Sequence, residues 1–184
     1  NIAVAASLTK LFRGGQICPN FSARDLWQHS IAVGAATRML APKAGLTLPD
    51  EAFLAGLIHD IGIMVEIQAR RTQFVAAMDK MQKNPNLKLR EVELATIGAT
   101  HEQFGAELCK LWKFPMSFSY VTGFHHRPLE LTPQGRRLAC LVHIADVLAA
   151  KQKLGFSLSV ETPEVDSAIL GELNLSQADL DQTS

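Results

Sequence analysis

The chain has 184 residues, 47% of them hydrophobic, and its 18 basic and 18 acidic side chains cancel to a formal net charge of zero. That length builds one sizeable core and is short for two domains, and neither half carries the run of like charge that a nucleic-acid binder needs. Three widely spaced cysteines (Cys18, Cys109, Cys140), no signal sequence and no uninterrupted apolar stretch of spanning length argue against a disulfide framework and a membrane protein, and predict a cytoplasmic location.

Residues 1–12 read as an amphipathic helix that opens without an initiator Met, which predicts a fragment lacking N-terminal helices. Ser22 caps a helix on which Leu26, Trp27, Ile31, Ala35 and Met39 recur at helical spacing, and Pro42 lies just past its end. Pro49-Asp50-Glu51 starts the next, which carries Phe53, Leu54, Leu57, Ile58 and Ile61. Residues 70–82 suggest a third. Thr100 followed by Gln103 is a capping-box pattern ahead of Phe104, Leu108 and Leu111, with Pro115 following Trp112. Residues 115–126 and 132–153 give two further helices, and Thr162-Pro163 and Ser176 look like caps for two short terminal ones. Strand signals are poor. The expectation is all-α: residues 1–184 form a single multi-helix bundle with Trp27, Phe53, Leu57, Phe104, Trp112 and Leu141 in the core or close to it.

Polar residues on those helices carry the chemistry. His29 lies in an otherwise apolar helix, four residues after Asp25, so both project from one face. His59 and Asp60 are adjacent, which on a continuous helix points them about 100° apart. They can share one partner only if the helix ends there, and Gly62 is a place for the backbone to bend or for a neighbouring helix to come close. His101, the pair His125-His126 and Asp146 follow. A lone buried histidine is usually satisfied by a backbone carbonyl. Five imidazoles with two or three carboxylates in one small core are different: they need a shared counter-charge, and one or two metal ions supply it.

These residues carry a resemblance. Ala55-Gly56-Leu57-Ile58-His59-Asp60-Ile61-Gly62, preceded by Leu26-Trp27-Gln28-His29-Ser30 and followed by His101-Glu102-Gln103-Phe104-Gly105, Trp112-Lys113-Phe114-Pro115, His125-His126 and Ala145-Asp146, resemble the HD superfamily, most closely its HDOD branch. The resemblance implies an HD-type helical bundle with a metal site in its core and, in many members, metal-dependent hydrolysis of phosphate esters. It places the minimal metal set on His29, His59, Asp60 and Asp146, and the histidines for a second ion on His101, His125 and His126. Asp25 stands where some HD-GYP phosphodiesterases put an extra carboxylate ligand, and is explained equally well by the helix dipole. His143 matches no role. Mixed His and carboxylate ligation favours a divalent transition metal, Fe or Mn, with Zn or Ni as alternatives.

Two ions held side by side activate a bridging water for in-line attack on phosphorus. The departures from the resemblance weigh against that chemistry. Ile63 stands where HD-type hydrolases commonly carry a phosphate-steadying Lys, and Arg127-Pro128-Leu129-Glu130-Leu131 replaces the Gly-Tyr-Pro stretch of cyclic-di-GMP phosphodiesterases. Arg127, Arg136 and Arg137 have the chemistry to bind phosphate and read more simply as solvated charges. Two readings stand. The first is a bacterial signal-transduction regulatory or output module that keeps its metal site, with other signalling domains or proteins as partners. The second is a metal-dependent phosphohydrolase acting on nucleotide or cyclic-nucleotide phosphoesters, in which Asp60 is catalytic and a nucleotide-like phosphate is the ligand.

Overall fold

The structure, a computed structural model, describes residues 15–162 and 164–182. The helix expected over residues 1–12 lies outside these. The described chain is a helical bundle, as expected, with one addition that carried no sequence signal: a short antiparallel ribbon of β1 (Gln16–Cys18) and β2 (Phe21–Ser22). Its Phe21 ring packs edge-on against Phe74 and Phe156, at 4.9 and 5.0 Å between centroids.

Ser22 ends the ribbon and caps α1 (Ala23–Leu40) by accepting from the Asp25 N–H at 3.0 Å. The helix buries Leu26, His29, Ser30, Val33, Thr37 and Leu40, one stripe at helical spacing. That stripe faces α2 (Pro49–Ile58) and, later in the chain, α8 (Pro133–Lys151). The sequence from Pro49 to Ala69 is long and apolar enough to cross a membrane by length and composition, yet 78% of its most apolar window is buried inside the fold. It is also not one helix. His59 closes α2 and Asp60 opens α3 (Ile61–Ala69), with the Asp60 backbone at φ −97 and ψ 15.

α4 (Arg71–Lys83) falls where residues 70–82 suggested, and α5 (Leu89–Thr96) follows with no prior expectation. The capping box at Thr100 and Gln103 is formed and starts α6 (His101–Leu111). Gly62 on α3 packs so closely on α6 that a Cβ there would occupy the place of the His101 carbonyl and meet the Gly105 amide at 2.8 Å. A pair of α7 (Met116–Phe124) and α8 completes the bundle around the site.

Two short helices, α9 (Ser167–Leu173) and α10 (Gln177–Asp181), close a second apolar cluster with Leu40, Leu141 and Ile144. Ser176 caps α10 as expected. The cap of α9 is Asp166, which accepts from the Ala168 N–H at 2.8 Å, and not Thr162. The expected core residues Leu57 and Leu141 are buried, and Trp27, Phe53 and Phe104 are partly so. Trp112 is the exception at 45% exposure. Lys113 takes a left-handed conformation right after it, so the chain turns away and leaves the indole edge-on to Phe114 at the surface.

Candidate metal centre

The break between α2 and α3 is what lets adjacent residues face one point. His59 Nε2 and Asp60 Oδ2 are 3.4 Å apart and both side chains are fully buried. Around them the bundle brings His29 from α1, His101 from the start of α6, His125 and His126 from the end of α7, and Asp146 from α8. Their ligand atoms form two groups, each within 4.8 Å: His29, His59 and Asp146, and Asp60, His101, His125 and His126. Asp60 joins them. Its Oδ1 lies 3.3 Å from His125 Nε2 and 3.5 Å from His101 Nε2, while its Oδ2 faces His59. His29 Nε2 meets Asp146 Oδ1 at 2.8 Å.

Four of the imidazoles are oriented by their other nitrogen. Nδ1–H donates to the Leu154 carbonyl from His29 (3.3 Å), to Gly56 from His59 (2.7 Å), to Val121 from His125 (3.1 Å), and to the Glu93 carboxylate from His101 (2.8 Å). That leaves each Nε2 aimed inward, the nitrogen with which histidine binds metal once it is deprotonated. His59 Nε2, His125 Nε2 and Asp60 Oδ1 are buried without a hydrogen-bond partner. Unsatisfied buried polar atoms are costly, and a cation within each ligand group would satisfy the ones that belong to it. The residues present fit a metal ion, and either ligand group could hold one.

The charges are tightly coupled. Burial opposes protonation of His59, but the Asp60 and Asp146 carboxylates outweigh it and lift the imidazole to about 9. Burial likewise opposes a charge on His101, and the Glu93 carboxylate raises it to about 10. Asp60 runs the other way: burial resists its ionisation, yet the facing imidazoles hold it well below the usual carboxylate range. His126 is driven well below its ordinary value by burial and by His125 and His101. Protons on His59 and His101 thus take the role of cations when no metal is bound.

Asp25 is not brought to the centre. It is exposed and belongs to neither ligand group, and in the first turn of α1 it has the place the helix dipole favours. His143 is buried and its Nδ1–H donates to the His125 carbonyl at 2.8 Å, so it supports a ligand's backbone. Ile63 is a correction of a different kind. It is fully buried in the main apolar cluster, so a lysine at this position of this fold would have no route to a bound phosphate. Arg136 pairs with Glu172, and Arg137 donates to the Glu172 and Ala44 carbonyls, both tying α8 to its neighbours.

Sequence reading passed over Glu93, Glu66, Glu102 and Ser159. Glu93 is fully buried and also accepts the His101 backbone N–H. Glu66 lies near it, and burial together with the Glu93 charge raises its carboxyl to about 9, so it is a neutral acid at pH 7. Buried Glu102 holds Arg90 at 3.1 Å and Arg127 at 3.3 Å. Ser159 donates to Asp60 Oδ2 at 3.0 Å. A cavity of about 600 Å³ reaches His126 and His143, and its charged lining is Arg127 with Glu130, Glu164 and Asp166.

The HDOD domain family matches residues 1–128. Solved structures share the fold: an HDOD domain protein of unknown function from Geobacter sulfurreducens (22% identity, TM-score 0.78) matches 96% of this chain and 61% of its own. A candidate signal transduction protein from Marinobacter aquaeolei VT8 matches at 23% identity and TM-score 0.75, over 86% of this chain and 35% of that one. A candidate phosphohydrolase from Shewanella amazonensis SB2B matches at 19% identity and TM-score 0.69, over 90% and 60%. The chain therefore spans less than two thirds of each of these proteins. No curated protein matches it.

Proposed function

The chain belongs to the HDOD family, and from that premise we propose that it is a regulatory module of bacterial signal transduction that retains an HD-type metal centre built by His29, His59, Asp60, His101, His125, His126 and Asp146. The observation that carries the metal is the gathering of buried His and Asp side chains into two ligand groups, with His59 Nε2 left without a hydrogen bond in one and His125 Nε2 and Asp60 Oδ1 in the other. A bound divalent ion supplies positive charge and Lewis acidity there. His and carboxylate donors favour Fe or Mn over Mg or Ca.

Regulation is preferred to catalysis because, among the described residues, the guanidinium groups near the centre are already paired with carboxylates. Arg127 already bridges Glu102 and Glu130 and lies over the Phe124 ring, and Arg90 is held by Glu102 and Glu161. The cavity at His126 sets three carboxylates against that one guanidinium, a field that repels a dianion.

A metal-dependent phosphohydrolase remains the second reading, favoured by the two ligand groups that Asp60 joins. Elemental analysis followed by a phosphoesterase screen separates the two. The expected result is one or two ions per chain and turnover no faster than in metal-stripped protein. Robust metal-dependent hydrolysis makes the second reading the right one, with Asp60 as its catalytic residue; absence of stoichiometric metal removes both. Ile63→Lys is expected to unfold the protein rather than create activity, because it buries an ammonium in the apolar core, and thermal denaturation checks this.

A further inference from the structure

The segment that follows α8 runs past the centre and touches it twice. Lys153 and Gly155 take left-handed conformations, turning the chain back onto the first turn of α1. Gly155 has no room for a side chain there: a Cβ would collide with the Asp25 carbonyl and the His29 amide. The turn is locked by the Phe156 N–H on the Asp25 carbonyl at 3.0 Å and by the buried Phe156 ring. It delivers the Leu154 carbonyl to His29 Nδ1 and, five residues further on, the fully buried Ser159 hydroxyl to Asp60 Oδ2. The segment then emerges at Glu161, whose carboxylate faces Lys88 at 3.6 Å and Arg90 at 3.5 Å.

We propose that residues 153–161 are a strap that couples the centre to the surface, with Ser159 as the positioning residue for Asp60. The inference rests on the metal reading above. Asp60 faces both ligand groups at 3.3–3.5 Å, closer than Asp146, whose Oδ2 reaches His126 Nδ1 only at 4.0 Å, and each Asp60 oxygen has a separate task. Ser159 holds Oδ2, so Oδ1 keeps its direction toward His101 and His125. A carboxylate drawn onto a cation moves its oxygens, and a hydroxyl buried with no other partner follows the oxygen it is bonded to. The Gly155 turn holds one end of the strap and the Glu161 ion pairs hold the other, so the motion is delivered to the Lys88–Glu161–Arg90 surface. Arg90 in turn reaches Glu102, the neighbour of His101.

The test is amide hydrogen exchange over residues 153–161 on the metal-loaded and metal-stripped chain, with metal content measured on the same samples. Loading with Mn(II) or Fe(II) is expected to slow exchange in the strap by about tenfold or more while amides of α9 change little. Ser159→Ala is expected to bind metal about tenfold more weakly, in the range of other outer-sphere losses, and at saturating metal to lose most of the slowing. Ser159→Thr, which keeps the hydroxyl, is expected to restore both. Stoichiometric metal with unchanged strap exchange in the unmodified chain overturns the strap, and full slowing in Ser159→Ala overturns the role of Ser159. If no metal binds to the unmodified chain, the metal reading itself fails and the strap with it.

Discussion

The two ligand groups are built from the same kinds of side chain and differ in what backs them: His125 of the second hangs on the Val121 carbonyl as the first group's histidines hang on theirs, but its other imidazoles do not. In the first, His29 and His59 hang on backbone carbonyls, those of Leu154 and Gly56, and with Asp146 they are sealed from solvent. In the second, His101 is held by a carboxylate, Glu93, with the neutral acid Glu66 behind it, and His126 lines a cavity. Backbone carbonyls cannot change charge; carboxylates can. The comparison teaches that one half of the centre is a fixed socket, whereas the other has an adjustable backing and one ligand next to solvent, the half at which exchange of an ion or ligand is expected.

The largest expected effect comes from removing what the halves share. Asp60→Ala leaves the His59 and His101 charges without their common carboxylate, and the metal-free protein is expected to lose about 3–5 kcal/mol in denaturant unfolding, the usual result of breaking a buried pair. Both ions are expected to be lost with it, by elemental analysis. If one ion survives, the halves are independent and Asp60 does not join them. Next is Glu93→Gln, which keeps shape and removes charge. Metal affinity is expected to fall about 10–100-fold by titration, with the effect confined to the ion of the second group.

pH gives a subtler contrast. The His59 and His101 values are raised above the ordinary 6.5, so their contribution to stability is fully present below that value and is lost as pH rises through about 9 and 10. Metal-free protein is therefore expected to lose stability between pH 7 and 10, and metal-loaded protein to resist the loss, since bound ligands have no such protons to give up. Coincident pH profiles for the two forms would show that the ions do not replace those protons. The smallest effect is expected for His126→Ala. This imidazole is neutral at pH 7, so metal-free stability should change by about 1 kcal/mol or less, while the binding stoichiometry drops by one ion. Loss of both ions would make His126 part of the fixed socket.

Helices and ligands were legible in the sequence because both leave local marks. The capping box at Thr100, the Pro49 start and the Ser176 cap name their helices, and the His-Asp pair with Gly62 two residues on marks the break that aims both ligands inward. What supports the ligands leaves none. On α5, Leu94 is exposed while its neighbour Glu93 is fully buried, the reverse of the polarity rule, and the His101 imidazole on the next helix explains it. Leu154 acts through its backbone carbonyl, which every residue has. Ser159 sits in an irregular loop and owes its burial to a partner 99 residues away. Ile63 shows the same limit: a motif gives the residue's place in the chain, while the turn of α3 decides that it points into the core.

The His29–Asp146 contact spans 117 positions of the chain and the Leu154 carbonyl reaches back 125 positions to His29. On the ribosome, then, the centre is a late arrival: six of its seven histidine and aspartate side chains emerge before Asp146 does, and the strap emerges after it. α6 needs no ion to begin, since its capping box is local, but closure of so long a loop is slow and comes after the local helices have formed. Until α8 docks, His29 lacks both the Asp146 carboxylate and the Leu154 carbonyl, so the seven side chains meet only in the finished bundle.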